Sequence, residues 1–178
     1  MARTPSGAKP KILIIGYTGG GKSTVASILA RLTGGRAADT SHLLMIEFAK
    51  ANGIHIADVI ARKGEYRQRL FEFSNVRKAT DPAYYVRTAI GDGANIVAGV
   101  RTKPELEAAR KLVDRVVWVN RGTRGSTDEL HPRHDFFILD TRDNEGPLWH
   151  TELVERCKRL IDRIMLDMMW RGKKCPES

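Results

Sequence analysis

Near the N-terminus an apolar run, KILII at residues 11–15, breaks off at Gly16, and residues 16–23 then read GYTGGGKS. No other stretch restricts the possible folds so tightly. The run before it is β-branched and has no polar face, which predicts a strand buried on both sides in a parallel sheet. After it, Val25, Ile28, Leu29 and Leu32 share one face from Lys22 to about Leu32, which predicts a helix. The pattern G-x-x-x-x-G-K-[ST] between a strand and a helix is a phosphate-binding loop. Glycines there let backbone N–H groups converge on phosphate oxygens without side-chain clashes, and the helix N-terminus favours negative charge. Gly16, Gly19, Gly20, Gly21 and Thr24 are expected around the phosphates of ATP. Lys22 is expected on the β- and γ-phosphates, and Ser23 on Mg²⁺.

Strand and helix signals alternate downstream. GGRAAD (34–39) reads as a turn and a short second strand. SHLLMIEFAKANG (41–53) reads as a helix with Ser41 as N-cap and Gly53 as stop. A polar, basic helical stretch follows through residues 65–78, and DPAYYVRTAI (81–90) starts a helix with Asp81 as cap and Pro82 in its first turn. NIVAGV (95–100) and RVVWV (115–119) read as buried strands around the helix KPELEAARKLV (103–113). DFFIL (135–139) is a fifth strand, and a helix with an apolar stripe runs from about Leu148 to Trp170. The expected fold is α/β, a P-loop NTPase three-layer αβα sandwich with a five-stranded parallel sheet, ligands lying at the carboxyl ends of the strands. One kinase domain is expected over 11–170, with a flexible tail at 1–10 and a basic tail at 171–178.

Composition narrows the class. With 42% hydrophobic and 29% charged residues in 178, the chain should be globular. No apolar run is long enough for a membrane span, and the start lacks signal-peptide shape, so a cytoplasmic location is expected (a host cytoplasm if the chain is phage-encoded). Cys157 and Cys175 stand far apart in no metal spacing, and His131 and His134 have no further ligand spacing beside them. The net charge of +9 favours an anionic partner. No Asn/Thr-Lys-x-Asp guanine motif is present, and NIVAGV carries no internal aspartate of the Walker B kind. That strand instead delivers Gly99 and Arg101 at its carboxyl end, as small kinases aim an arginine at their acceptor.

Residues 96–110 (IVAGVRTKPELEAAR), 115–146 (RVVWVNRGTRGSTDELHPRHDFFILDTRDNEG) and 66–90 together resemble the phage deoxynucleoside monophosphate kinases. Related architectures are the phage hydroxymethyluracil DNA kinases and dephospho-coenzyme A kinase. Residues 34–60, where the acceptor pocket is normally shaped, match poorly. The resemblance implies ATP- and magnesium-dependent phosphoryl transfer to a free deoxynucleotide, with Thr141 and Arg142 as candidate adenine contacts.

Several residues keep more than one reading. Arg101 suits an acceptor phosphate, which a guanidinium grips bidentately, or is a surface arginine starting a helix. Arg121 and Arg124 fit a lid over the migrating phosphoryl, or a solvated loop. Asp39 ends the second strand and can be a base for a hydroxyl acceptor, a Mg²⁺ ligand or the cap of an Asp-Thr-Ser turn. In residues 62–78 six basic side chains face two acidic ones. Arg67, Arg69 and Arg77 there can hold an acceptor phosphate, track DNA, or form a solvated face. Three functions follow: a monophosphate kinase on free deoxynucleotides, a kinase acting on hydroxymethyluracil in DNA, and a non-catalytic nucleotide-binding module. The resemblance and the arginines favour the first. Oligomeric state is left open.

Overall fold

The computed structural model describes residues 9–121, 129–141 and 148–171. The terminal stretches 1–8 and 172–178, which hold most of the two expected tails and Cys175, lie outside the described residues. Five strands are described: β1 (Ile12–Gly16), β2 (Ala37–Asp39), β3 (Ile96–Ala98), β4 (Arg115–Asn120) and β5 (Phe137–Asp140). They form one parallel sheet in the order β2-β3-β1-β4-β5. The helices are α1 (Lys22–Leu32), α2 (Thr40–Asn52), α3 (Ile56–Ala61), α4 (Lys63–Thr80), α5 (Tyr84–Gly91), α6 (Lys103–Ala109) and α7 (Trp149–Arg171). The architecture is the expected three-layer sandwich, an NMP-kinase-like P-loop fold.

The period of two along each strand decides which layer each side chain joins. Ile12 and Ile14 of β1, with Val117 and Val119 of β4, pack under α1 and α7, against Val25, Leu29, Leu153, Cys157 and Ile164. Their neighbours Leu13, Ile15, Val116 and Trp118 point the other way, against Val86 and Ala89 of α5 and Leu106 and Ala109 of α6. Both sets are almost fully buried, which explains why these runs carry no polar face. Burial pushes the Cys157 thiol up to about 12, so it behaves as a small core hydrophobe. A third cluster, Met45, Phe48, Ala49, Val59 and Leu70, binds α2, α3 and α4 to one another apart from the sheet.

Several local boundaries differ from the expectations, those of four helices among them. α2 begins at Thr40 and its cap is Asp39, whose Oδ1 accepts from Ser41 N at 2.8 Å; Ser41 already lies inside the helix. α5 begins at Tyr84, because Asp81 and Pro82 form a separate turn. Asp81 Oδ1 accepts from Ala83 N, and its other oxygen accepts from Arg87 Nε, which holds the carboxyl below the usual range. α6 stops at Ala109, where Arg110–Val113 turn to feed β4. α3 was not anticipated; His55 caps it through Nδ1, which accepts from Ala57 N.

Asn95 ties three elements together just before β3. Its Oδ1 accepts from Arg36 N at 2.8 Å, ahead of β2, and its Nδ2 donates to Pro10 O, ahead of β1, and to Thr33 Oγ1, after α1. The side chain is buried, so its amide is both donor and acceptor in a place water does not reach. Asn95→Ala leaves the Arg36 N–H and the Pro10 carbonyl unmatched. It should lower stability by about 2–3 kcal/mol, read as a fall in the urea midpoint with unchanged m-value.

Candidate functional site

The phosphate loop leaves β1 at Gly16 and enters α1 through Gly21, which sits at φ 81°, ψ 17° in the left-handed region. No side chain caps α1. Its first N–H groups are therefore left for an anion, as the loop motif requires. Lys22 lies along its own loop, Nζ donating to Gly16 O at 2.9 Å and Tyr17 O at 2.7 Å. These two bonds tie the start of the loop to its end.

Asp39 serves two elements at once. One carboxylate oxygen caps α2, and the other, Oδ2, accepts from Ser23 Oγ at 3.1 Å. The expected Mg²⁺ pair, Ser23 and Asp39, is therefore side by side. Among the described residues no three His, Cys, Asp or Glu side chains gather into a metal cluster. A hydroxyl plus one carboxylate instead fits Mg²⁺ of the kind that arrives on nucleotide phosphates and keeps several waters.

Gly99 fixes how β2 and β3 meet at this end of the sheet. It sits at φ 111°, and a Cβ there would lie 2.3 Å from Thr40 Oγ1, 3.1 Å from Thr40 N and 3.2 Å from Asp39 Oδ1. Past it the chain delivers Arg101. Its side chain is exposed, while its backbone N–H donates to the buried Glu105 at 3.3 Å. Thr102 caps α6 by accepting from Glu105 N, and Glu105 also binds Lys78 Nζ at 2.7 Å. The backbone under Arg101 is thereby held to both α6 and the end of α4.

These elements enclose a cleft of about 430 Å³ running from Thr18–Thr24 to Asp39, Ser41, His42, Met45, Lys63, Gly99 and Arg101. It gathers Lys22, Ser23, Asp39 and Arg101 in one place, and adds Lys63 and His42, which the sequence reading did not single out. Arg121 follows β4, and its guanidinium NH1 is 3.9 Å from where a Cβ on Gly21 would be, at the loop's edge. Arg124 and Arg142 lie outside the described residues. Thr141 is buried, and its backbone N–H and hydroxyl both donate to Asn120 O, joining the ends of β4 and β5.

The arginines of α4 face elsewhere. Arg69 donates to Asn52 Oδ1 at 3.0 Å and lies over the Phe48 and Tyr66 rings. Arg77 lies over Phe73 and Tyr84 and pairs with Glu47 at 3.8 Å. Arg67 is exposed and outside the cleft lining.

No family model and no curated protein matches the chain. Among solved structures it is similar to an unliganded sugar kinase from Janibacter sp., at 17% identity and a TM-score of 0.46, over 87% of this chain and 95% of that one. It is also similar to a shikimate kinase from Acinetobacter baumannii in complex with shikimate, at 20% identity and a TM-score of 0.40, over 89% of this chain and 79% of that one. No helix among the described residues is long and apolar enough to cross a membrane.

The contact at Gly99 has a measurable consequence. Gly99→Ala puts a methyl against Thr40 at a φ that L residues avoid, and should cost about 2–3 kcal/mol in urea unfolding. Adding Thr40→Ala removes the hydroxyl but leaves the backbone and φ problems, so the double variant should recover only part of that loss.

Proposed function

We propose that the chain is a kinase that moves the γ-phosphoryl of ATP, with Mg²⁺, to the phosphate of a free deoxynucleoside monophosphate. The observation that carries this reading is the cleft itself: a phosphate loop with Lys22, a Ser23–Asp39 pair beside it, and Arg101 in the same lining.

In this reading the loop N–H groups and the start of α1 hold the β- and γ-phosphates, and Lys22 leaves its two loop carbonyls to follow the migrating group. An oxygen of the acceptor phosphate attacks the γ-phosphorus, the bond to the β-phosphate oxygen breaks, and ADP leaves. The acceptor arrives ionised, so no residue need take a proton. Ser23 and Asp39 are the residues that would hold Mg²⁺, which would neutralise charge on the phosphates. Arg101 orients the acceptor, and Arg121, beside Gly21, stabilises charge on the transferred group.

A second reading is favoured by one observation, the Asp39 carboxylate lying within the cleft. There it takes the proton of a hydroxymethyl group on a pyrimidine in DNA as that oxygen attacks the same phosphorus. The decisive experiment offers γ-labelled ATP with the four deoxynucleoside monophosphates in one tube and hydroxymethyluracil-containing DNA in another. Label in a free nucleotide is expected; label in DNA alone overturns the primary reading.

Two variants test the assignments. Lys22→Ala should fold normally, since no core contact is lost, yet lose turnover by at least about a hundredfold. Arg101→Lys should raise the acceptor KM or lower kcat about tenfold or more while ATP affinity stays within about twofold. An equal loss for ATP would put Arg101 on the donor side.

A further inference from the structure

Several lysines and arginines that line the cleft or stand on α4 are already engaged. Arg62 pairs with Glu65 and lies over Tyr66; Lys78 binds Glu105; Lys22 is held by its own loop. Two that line the cleft are different. Arg101 and Lys63 are exposed, and among the described residues neither side chain has a hydrogen-bond or ion-pair partner. They come from separate elements, Arg101 from the exit of β3 and Lys63 from the first residue of α4.

Lys63 owes its place to a corner in the chain. Arg62 ends α3 and starts α4 with φ −109° and ψ 32°, outside helical geometry, so α4 sets off in a new direction. Val59 of α3 and Leu70 of α4 pin both sides of that corner into the cluster around Phe48. Leu70 lies two helical turns beyond Lys63, so the buried anchor and the cleft-lining cation belong to one rigid element.

Two unpaired cations lining one cleft create a positive potential there that an anion satisfies. The lining carries a single carboxylate, Asp39, and both its oxygens are already bonded. We propose that Lys63 and Arg101 together form the acceptor's anion subsite, and that its ligand is a phosphate monoester. A planar guanidinium supplies a two-pronged grip, and an ammonium supplies a mobile point charge. Two positive charges match the dianion of a monoester, whereas a backbone diester or a carboxylate brings one. Lys63 is thus the basic residue of 62–78 that meets substrate, and the stacked arginines of α4 hold the helix in place. This deepens the kinase reading and rests on it for the identity of the acceptor.

Equilibrium binding separates the two claims. The protein is first saturated with a non-hydrolysable ATP analogue and Mg²⁺, which occupies the phosphate loop. Thymidine 5′-monophosphate, thymidine and inorganic phosphate are then titrated by calorimetry. Lys63→Gln should weaken both phosphate ligands about tenfold, leave the analogue's own affinity within about twofold, and leave thymidine unaffected. Lys63→Arg should restore most of the loss. Lys111→Gln, an exposed lysine outside the cleft lining, removes the same charge and should change nothing. If Lys63→Gln binds phosphate ligands as the wild type does, or loses no more than Lys111→Gln, the subsite is wrong. If phosphate binding depends on Lys63 but no free nucleotide ever becomes labelled, the subsite stands and the free-nucleotide reading fails.

Discussion

The site depends on a contact that leaves no room for a side chain. At Gly99 the backbone leaving β3 passes so close to Thr40 that even a methyl would overlap its hydroxyl. Because β2 and β3 are neighbours in register, Asp39 opposite Ala98, this approach fixes where both strands end. From one end comes the Asp39 carboxylate, facing Ser23; from the other comes Arg101. The separation of the points from which Asp39 and Arg101 leave the sheet is therefore set in the backbone, by packing and by one φ value, rather than by flexible side chains.

Charge is sorted around that frame. The chain is strongly basic, yet its cations do different things according to what lies within reach. Arginines of α4 lie flat on Phe48, Tyr66, Phe73 and Tyr84, where their stems cover apolar surface and their heads stay wet. Glu47 receives Tyr84 Oη and Arg77 on the same side, so this layer is a polar brace over the third cluster. Net charge alone would have suggested a surface for polyanions. Glu47 and Glu105, which pair with Arg77 and Lys78 from outside the run, reduce that surplus where it looked largest.

Legibility followed the range of the interactions. The phosphate loop was plain in the sequence because its glycines, lysine and helix are contiguous, and the strands were plain because burial on both faces removes every polar residue from Ile12–Ile15 and Val116–Val119. Asp39 was readable as a cap, but its second bond was not, since that needs Ser23, sixteen residues away, to fold against it. Lys63 was hidden inside a basic run whose composition cannot say which charge reaches the cleft; that depends on the corner at Arg62 and on α3, whose six residues make a helical spacing of Ile56, Val59 and Ile60 too short to stand out. Arg69 and Arg77 were singled out for their charge, when the neighbouring aromatics at 66 and 73 were the better clue to their role.

The third cluster has a consequence for how such a molecule can change. Met45, Phe48, Val59 and Leu70 pack with one another and share no residue with the two cores that hold the sheet. Helix α1, which follows the phosphate loop, packs into the first core; Met45 of the third cluster lines the cleft, and Lys63 stands on the helix that Leu70 anchors there. Changes among the buried residues of α2, α3 and α4 can therefore reshape that side of the cleft while the packing under α1 stays as it is. The cleft rests on separate foundations, and the ground under Met45 and Lys63 can shift without moving the ground under the glycine loop.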